Sequence, residues 1–166
     1  MTPIPDTERK RDLLNVWLAL HAPDRTVHLL PEGVSFSYEK AMEQIYEHVM
    51  CREVSEEVIY ILIAATADGE VPVYVGRSRD VCSRWSTHLV GIGSGDGVYA
   101  TWQSMLLTDS MKTRWSLSLM VVPGSQIEFP PIPGFPTTIG AVEYQLVSLM
   151  ADAYPSMTLN HEGRLR

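Results

Sequence analysis

Residues 58–89 read VIYILIAATADGEVPVYVGRSRDVCSRWSTHL, and two apolar, β-branched runs within them decide the fold. Val58 to Ala65 is unbroken and apolar, Val71 to Val75 is its return, and the Ala-Asp-Gly-Glu link between them has the composition of a hairpin turn. Pro72 stands near the start of the second run, where a missing N–H is tolerated. Gly76 then breaks the strand, and Ser78 or Asp80 caps a helix whose Val81, Trp85 and Leu89 recur every fourth residue toward a core. Arg84 and His88 lie one turn apart on the neighbouring face. A hairpin feeding a helix thus carries two phenols (Tyr60, Tyr74), a guanidinium and an imidazole toward one small surface.

On the N-terminal side, Leu13, Leu14, Trp17, Leu18 and Leu20 fall near helical spacing over residues 6–21, and Pro23 ends the pattern. Arg25 to Leu30 is short and β-like. Tyr38, Met42, Ile45 and Val49 then mark a second amphipathic helix with Ser37 as its cap. Arg52 to Glu57 reads as a solvated joint. On the C-terminal side, Gly91 to Gly97 has four glycines in seven residues and reads as a flexible loop, since its spacing fits neither a P-loop nor a dinucleotide fingerprint. Tyr99 to Leu107 predicts a short helix, and Arg114 to Val122 alternates like a third strand. Phe129 to Pro136, with four prolines in eight residues, predicts an extended connection, and Ile139, Val142, Leu146, Met150 and Ala153 stripe a last helix over 138–153. Glu143 sits beside that stripe, where a carboxylate withdrawn from water needs a cation or hydrogen-bond partners.

The whole chain bounds these readings. Its 166 residues suit one domain or a domain with an appendage, and 45% hydrophobic with 20% charged residues is an ordinary globular composition. The N-terminus lacks a signal-peptide pattern and no apolar run is long enough to span a bilayer, so no membrane association is expected. Two cysteines, Cys51 and Cys82, without metal-ligand spacing, predict a reduced, cytoplasmic setting. His21, His28, His48 and His161 form no ligand spacing either. The formal charge of -7 argues against a general affinity for nucleic acid. That acidity is unevenly spread: residues 1–57 carry 6 Lys/Arg against 11 Asp/Glu, residues 58–166 carry 7 against 9, and three arginines (Arg77, Arg79, Arg84) cluster after the hairpin.

With these residues in view, the central stretch resembles the GIY-YIG nuclease family. Val58-Ile59-Tyr60 stands where that family has Gly-Ile-Tyr, and Tyr74-Val75-Gly76 is a variant of its second motif. Arg84, Trp85 and His88 follow in the family's order, and Glu143 with Asn160 matches its later glutamate and asparagine. The resemblance covers about residues 58–161. Val58 in place of glycine, the 14-residue separation of Tyr60 from Tyr74 and the proline-rich insertion depart from the pattern.

The resemblance implies an α/β (α+β) fold, a small antiparallel three-stranded sheet flanked by helices, with residues 1–57 as a helical extension for recognition, dimerisation or docking and 58–166 as the nuclease-like domain. It implies a divalent-metal-dependent DNA endonuclease of restriction or mobile-element type acting on duplex DNA. Hydrolysing a phosphodiester requires a deprotonated water, relief of charge on the phosphoryl oxygens and help for the leaving oxygen. A hard cation such as Mg²⁺ or Mn²⁺ keeps most of its waters and needs only one or two protein oxygens, so Glu143 alone suffices as metal ligand. In the implied mechanism Tyr60 takes the proton from water, Tyr74 bonds a phosphate oxygen or the nucleophile, and Arg84 grips the phosphate. His88 orients Tyr60 or the phosphate, or shuttles a proton. Arg77 and Arg79 position the nucleic-acid backbone, and Asn160 holds the site together. An RNase or structure-selective repair nuclease would use the same site, and a binding module that has lost the reaction would keep the fold.

Overall fold

The protein, described by a computed structural model over residues 6–49 and 56–160, folds around strand β2 (Val58–Thr66), which follows α1 (Asp6–His21), β1 (Thr26–Leu30) and α2 (Tyr38–His48). After it come β3 (Gly69–Ser78), α3 (Val81–Ser94), α4 (Tyr99–Leu106), β4 (Ser116–Pro123) and α5 (Ile139–Ala153). The strands form one antiparallel sheet in the order β1-β4-β2-β3. The sheet is therefore four-stranded rather than three-stranded. The additional strand is the β-like segment before Leu30, which pairs Thr26 to Met120 and Val27 to Leu119. Residues before 57 are thus not only helical, and they complete the sheet rather than merely flanking it.

β2 is apolar along its length because helices cover both faces of the sheet. Ile59, Ile61 and Ile63 pack with Leu14 and Trp17 of α1 and with Val142, Leu146 and Met150 of α5. Tyr60, Leu62 and Ala64 pack with Met42 and Ile45 of α2, Trp85 and Leu89 of α3, and Trp102 and Leu106 of α4. A strand buried on two sides has no polar face to alternate with, so it reads as a continuous run.

β3 interrupts simple alternation. Leu62 pairs with Tyr74 but Ile63 pairs with Pro72, so Val73 is an extra residue in the ladder. That bulge reverses the facing of the residues before it. Val71 and Val73 therefore join the α2–α4 side while Val75 joins the α1–α5 side. Pro72 lies on an outer strand at this irregularity, where its missing N–H breaks no regular ladder bond. Gly76 does not end the strand: β3 continues to Ser78.

The helix boundaries follow local chemistry. Ser37 accepts the Lys40 N–H at the start of α2, and Asp80 accepts the Ser83 N–H at the start of α3. α3 runs through Gly91 and Gly93, so the first half of the expected glycine loop is helical, and it ends at Gly95 with φ +70°. The proline-rich connection is irregular, as its composition predicts, and buried Gln145 pins it by accepting from the Ile132 N–H and donating to the Pro136 carbonyl.

Candidate active site

Tyr60 and Tyr74 are diagonal neighbours on adjacent strands, since Tyr60 pairs with Gly76 and Leu62 with Tyr74. Their rings stack with centroids 6.1 Å apart. Tyr60 extends across β3 directly over Gly76, where any Cβ would overlap its ring and hydroxyl. This crossing is why the partner must be glycine. It carries a side chain of the central strand to the sheet's outer edge while leaving it only 2% exposed.

α3 supplies the next two groups. Arg84 is exposed, whereas His88, one turn on, is buried at 6% exposure and its ring lies 6.2 Å from that of Tyr60 and 5.2 Å from that of Tyr74. Burial, reinforced by the positive charge of Arg84, pulls the His88 pKa down to about 4, so the ring is neutral at physiological pH. For Tyr60 burial dominates in the other direction and pushes its pKa up, helped by Tyr74 and Glu143 and opposed by Arg84. The chain's own groups therefore keep the proton on Tyr60. A role as proton acceptor asks for more positive charge than Arg84 supplies.

Glu143 reaches this place from α5, on the opposite side of the sheet, and its charge is felt at Tyr60. Arg77 lies between it and Glu57, with its nitrogens 3.5 Å from a Glu143 oxygen and 3.3 Å from a Glu57 oxygen. Arg77, expected to position a nucleic-acid backbone, is ion-paired at the site's rim with its side chain 45% exposed, while Arg79 is exposed just before the Asp80 cap. Among the described residues no group of three or more His, Cys, Asp or Glu is gathered for a metal. Glu143, partly covered and ion-paired with Arg77, still offers the hard oxygen donors that suit a cation keeping most of its waters, and it is the residue that would hold one.

Asn160 is buried, and its side chain is engaged by the backbone of β3. Its Oδ1 accepts the Val75 N–H at 2.9 Å and its Nδ2 donates to the Val75 carbonyl at 2.7 Å, so one side chain replaces a missing strand neighbour. Leu159 adds a backbone bond to Val73. These three bonds fix the residues flanking Tyr74.

The aromatic wall is larger than the motif residues. Tyr99 and Trp102, on α4, pack against His88, with the Tyr99 hydroxyl 2.8 Å from Nδ1. Their sequence signal was faint: two aromatics three apart in a short helix just after a glycine cluster. His21 is a satisfied structural residue, its Nδ1–H donating to the Trp17 carbonyl and its Nε2 accepting the Glu128 N–H. Cys51 and His161 lie outside the described residues. No protein-family model, curated protein or solved structure matches this chain. No helix among the described residues is long and apolar enough to cross a membrane.

Proposed function

We propose that this protein is a divalent-metal-dependent endonuclease that hydrolyses phosphodiester bonds in duplex DNA. One observation carries the reading: Tyr60, at the sheet edge, lies within the electrostatic reach of both Arg84 and Glu143, which come from helices on opposite faces of the sheet. A buried phenol influenced by a cation and an anion from separate elements is an arrangement useful where a phosphate and its nucleophile must be held together.

In this reading the exposed Arg84 forks onto the scissile phosphate and neutralises its charge. Tyr60 and Tyr74, whose rings stack with centroids 6.1 Å apart, line up the attacking water against that phosphate. Arg77 braces the Glu143 carboxylate, and neutral His88 steadies the phenols from behind. A cation bound at Glu143 supplies Lewis-acid stabilisation of the phosphoryl oxygens.

The test incubates the full chain with plasmid, linear duplex, single-stranded DNA and RNA, with Mg²⁺, Mn²⁺ or EDTA. Cleavage of duplex DNA that EDTA abolishes is expected, and both Glu143→Gln and Arg84→Ala should reduce it by at least about 100-fold. Activity confined to RNA would move the assignment to an RNase. Cleavage by no arm, or cleavage that both variants retain, would overturn it.

A further inference from the structure

Behind His88 stands an arrangement that phosphate binding alone does not require. Tyr99 opens α4 with its hydroxyl oxygen 2.8 Å from Nδ1 of His88. The approach depends on Gly91 of α3, where a Cβ would overlap the Tyr99 ring. Trp102, three residues further along α4, stacks on the imidazole with centroids 5.0 Å apart and planes 21° from parallel. The rings of Trp85, Tyr74 and Tyr60 enclose it at 5.0, 5.2 and 6.2 Å. Nε2 is buried without a hydrogen-bond partner in the described residues.

We propose that Tyr99 is a positioning residue that donates its phenolic hydrogen to Nδ1 of His88 and so fixes the Nε2–H tautomer, holding that N–H as a donor beside Tyr60 and Tyr74. The direction follows from donor and acceptor strength. A phenol is a good donor and a modest acceptor, and the bare nitrogen of a neutral imidazole is a strong acceptor. The same tautomer removes the proton-shuttle option for His88: Nε2 has no lone pair to offer a water, and the ring instead stabilises negative charge arising on a neighbouring phenolic or phosphoryl oxygen. That catalytic consequence rests on the nuclease reading, whereas the tautomer does not.

Nitrogen NMR on the full chain with ¹⁵N-labelled histidine decides the matter. His88 is expected to show a bare, hydrogen-bonded Nδ1 and a protonated Nε2, while His21, with the opposite tautomer dictated by its backbone partners, reports an intact fold. Tyr99→Phe should shift His88 toward a mixture of tautomers and leave His21 unchanged. Gly91→Ala, which drives the Tyr99 ring away, should do the same. In cleavage assays Tyr99→Phe should lower kcat about tenfold at unchanged KM. A protonated Nδ1 in the wild-type protein, or no response to Tyr99→Phe, overturns the proposal. So does a changed tautomer with an unchanged kcat. Failure of the wild-type protein to cut any nucleic acid removes the nuclease reading, and the spectrum then decides the tautomer alone.

Discussion

Gly76 and His88 show how single residues set the terms of the site. Because the Tyr60 ring lies over Gly76, even one methyl group must displace it. Gly76→Ala is expected to cost about 1–3 kcal/mol in urea unfolding and to lower cleavage more than it lowers DNA binding. His88 gives a pH signature. Its folded pKa of about 4 lies below the ordinary value near 6.5, so the unfolded chain binds more protons between those limits and stability falls as pH drops through that window. Relative to His88→Gln, the wild-type protein should lose roughly 3 kcal/mol more between pH 7 and pH 4, measured by denaturant midpoints. A parallel pH dependence in the two proteins would contradict the buried, neutral state. The motif tyrosines, Arg84, His88 and Glu143 were picked out in the sequence by the resemblance of their order to a family pattern. The pairing of Arg77 with Glu143, and the contact of Tyr99 with His88, were not, because they depend on how separate elements meet around the site.

At the scale of elements, β3 is an outer strand that survives by being covered. Asn160 and Leu159 satisfy its backbone at Val75 and Val73, so the edge presents fewer unpaired groups where Tyr74 and Gly76 must be held still. Asn160→Ala leaves a buried donor and acceptor without partners and should cost about 1–3 kcal/mol, with faster amide exchange at Val75 as the local sign. The hairpin itself was legible from its composition, and so was the cap at Ser37; the choice of Asp80 over Ser78 for α3 was made by the structure. The bulge at Val73 was not, because an apolar run covered on both faces carries no polar residue to mark the change of register. α3 outran its expected end for a related reason. Gly91 looks like a helix breaker in sequence, yet within α3 it is the contact that admits Tyr99, and the packing gained offsets the roughly 1 kcal/mol that glycine costs a helix.

Across the whole molecule, residues before 57 are part of the structure that carries the site. β1 pairs with β4, α1 packs on α5, and Leu14 and Trp17 are fully buried against β2 and the helix that bears Glu143. A chain beginning at residue 58 would expose the edge of β4 and one flank of α5, and is expected to lose its cooperative thermal transition and to elute as aggregate on gel filtration. A soluble, cooperatively melting fragment would show instead that α1, β1 and α2 are dispensable additions. The sequence by itself determined the elements and the hairpin-to-helix order, because periodicity, turn chemistry and capping are local properties of the chain. It also marked which polar residues stood out against that pattern. Only the tertiary structure decided that the sheet has four strands, that Tyr60 crosses Gly76 to the edge, and that the charges of Glu143 and Arg84 reach it from helices on opposite faces. Those outcomes depend on packing between residues far apart in the chain, and no local spacing encodes the distance between two faces of a sheet.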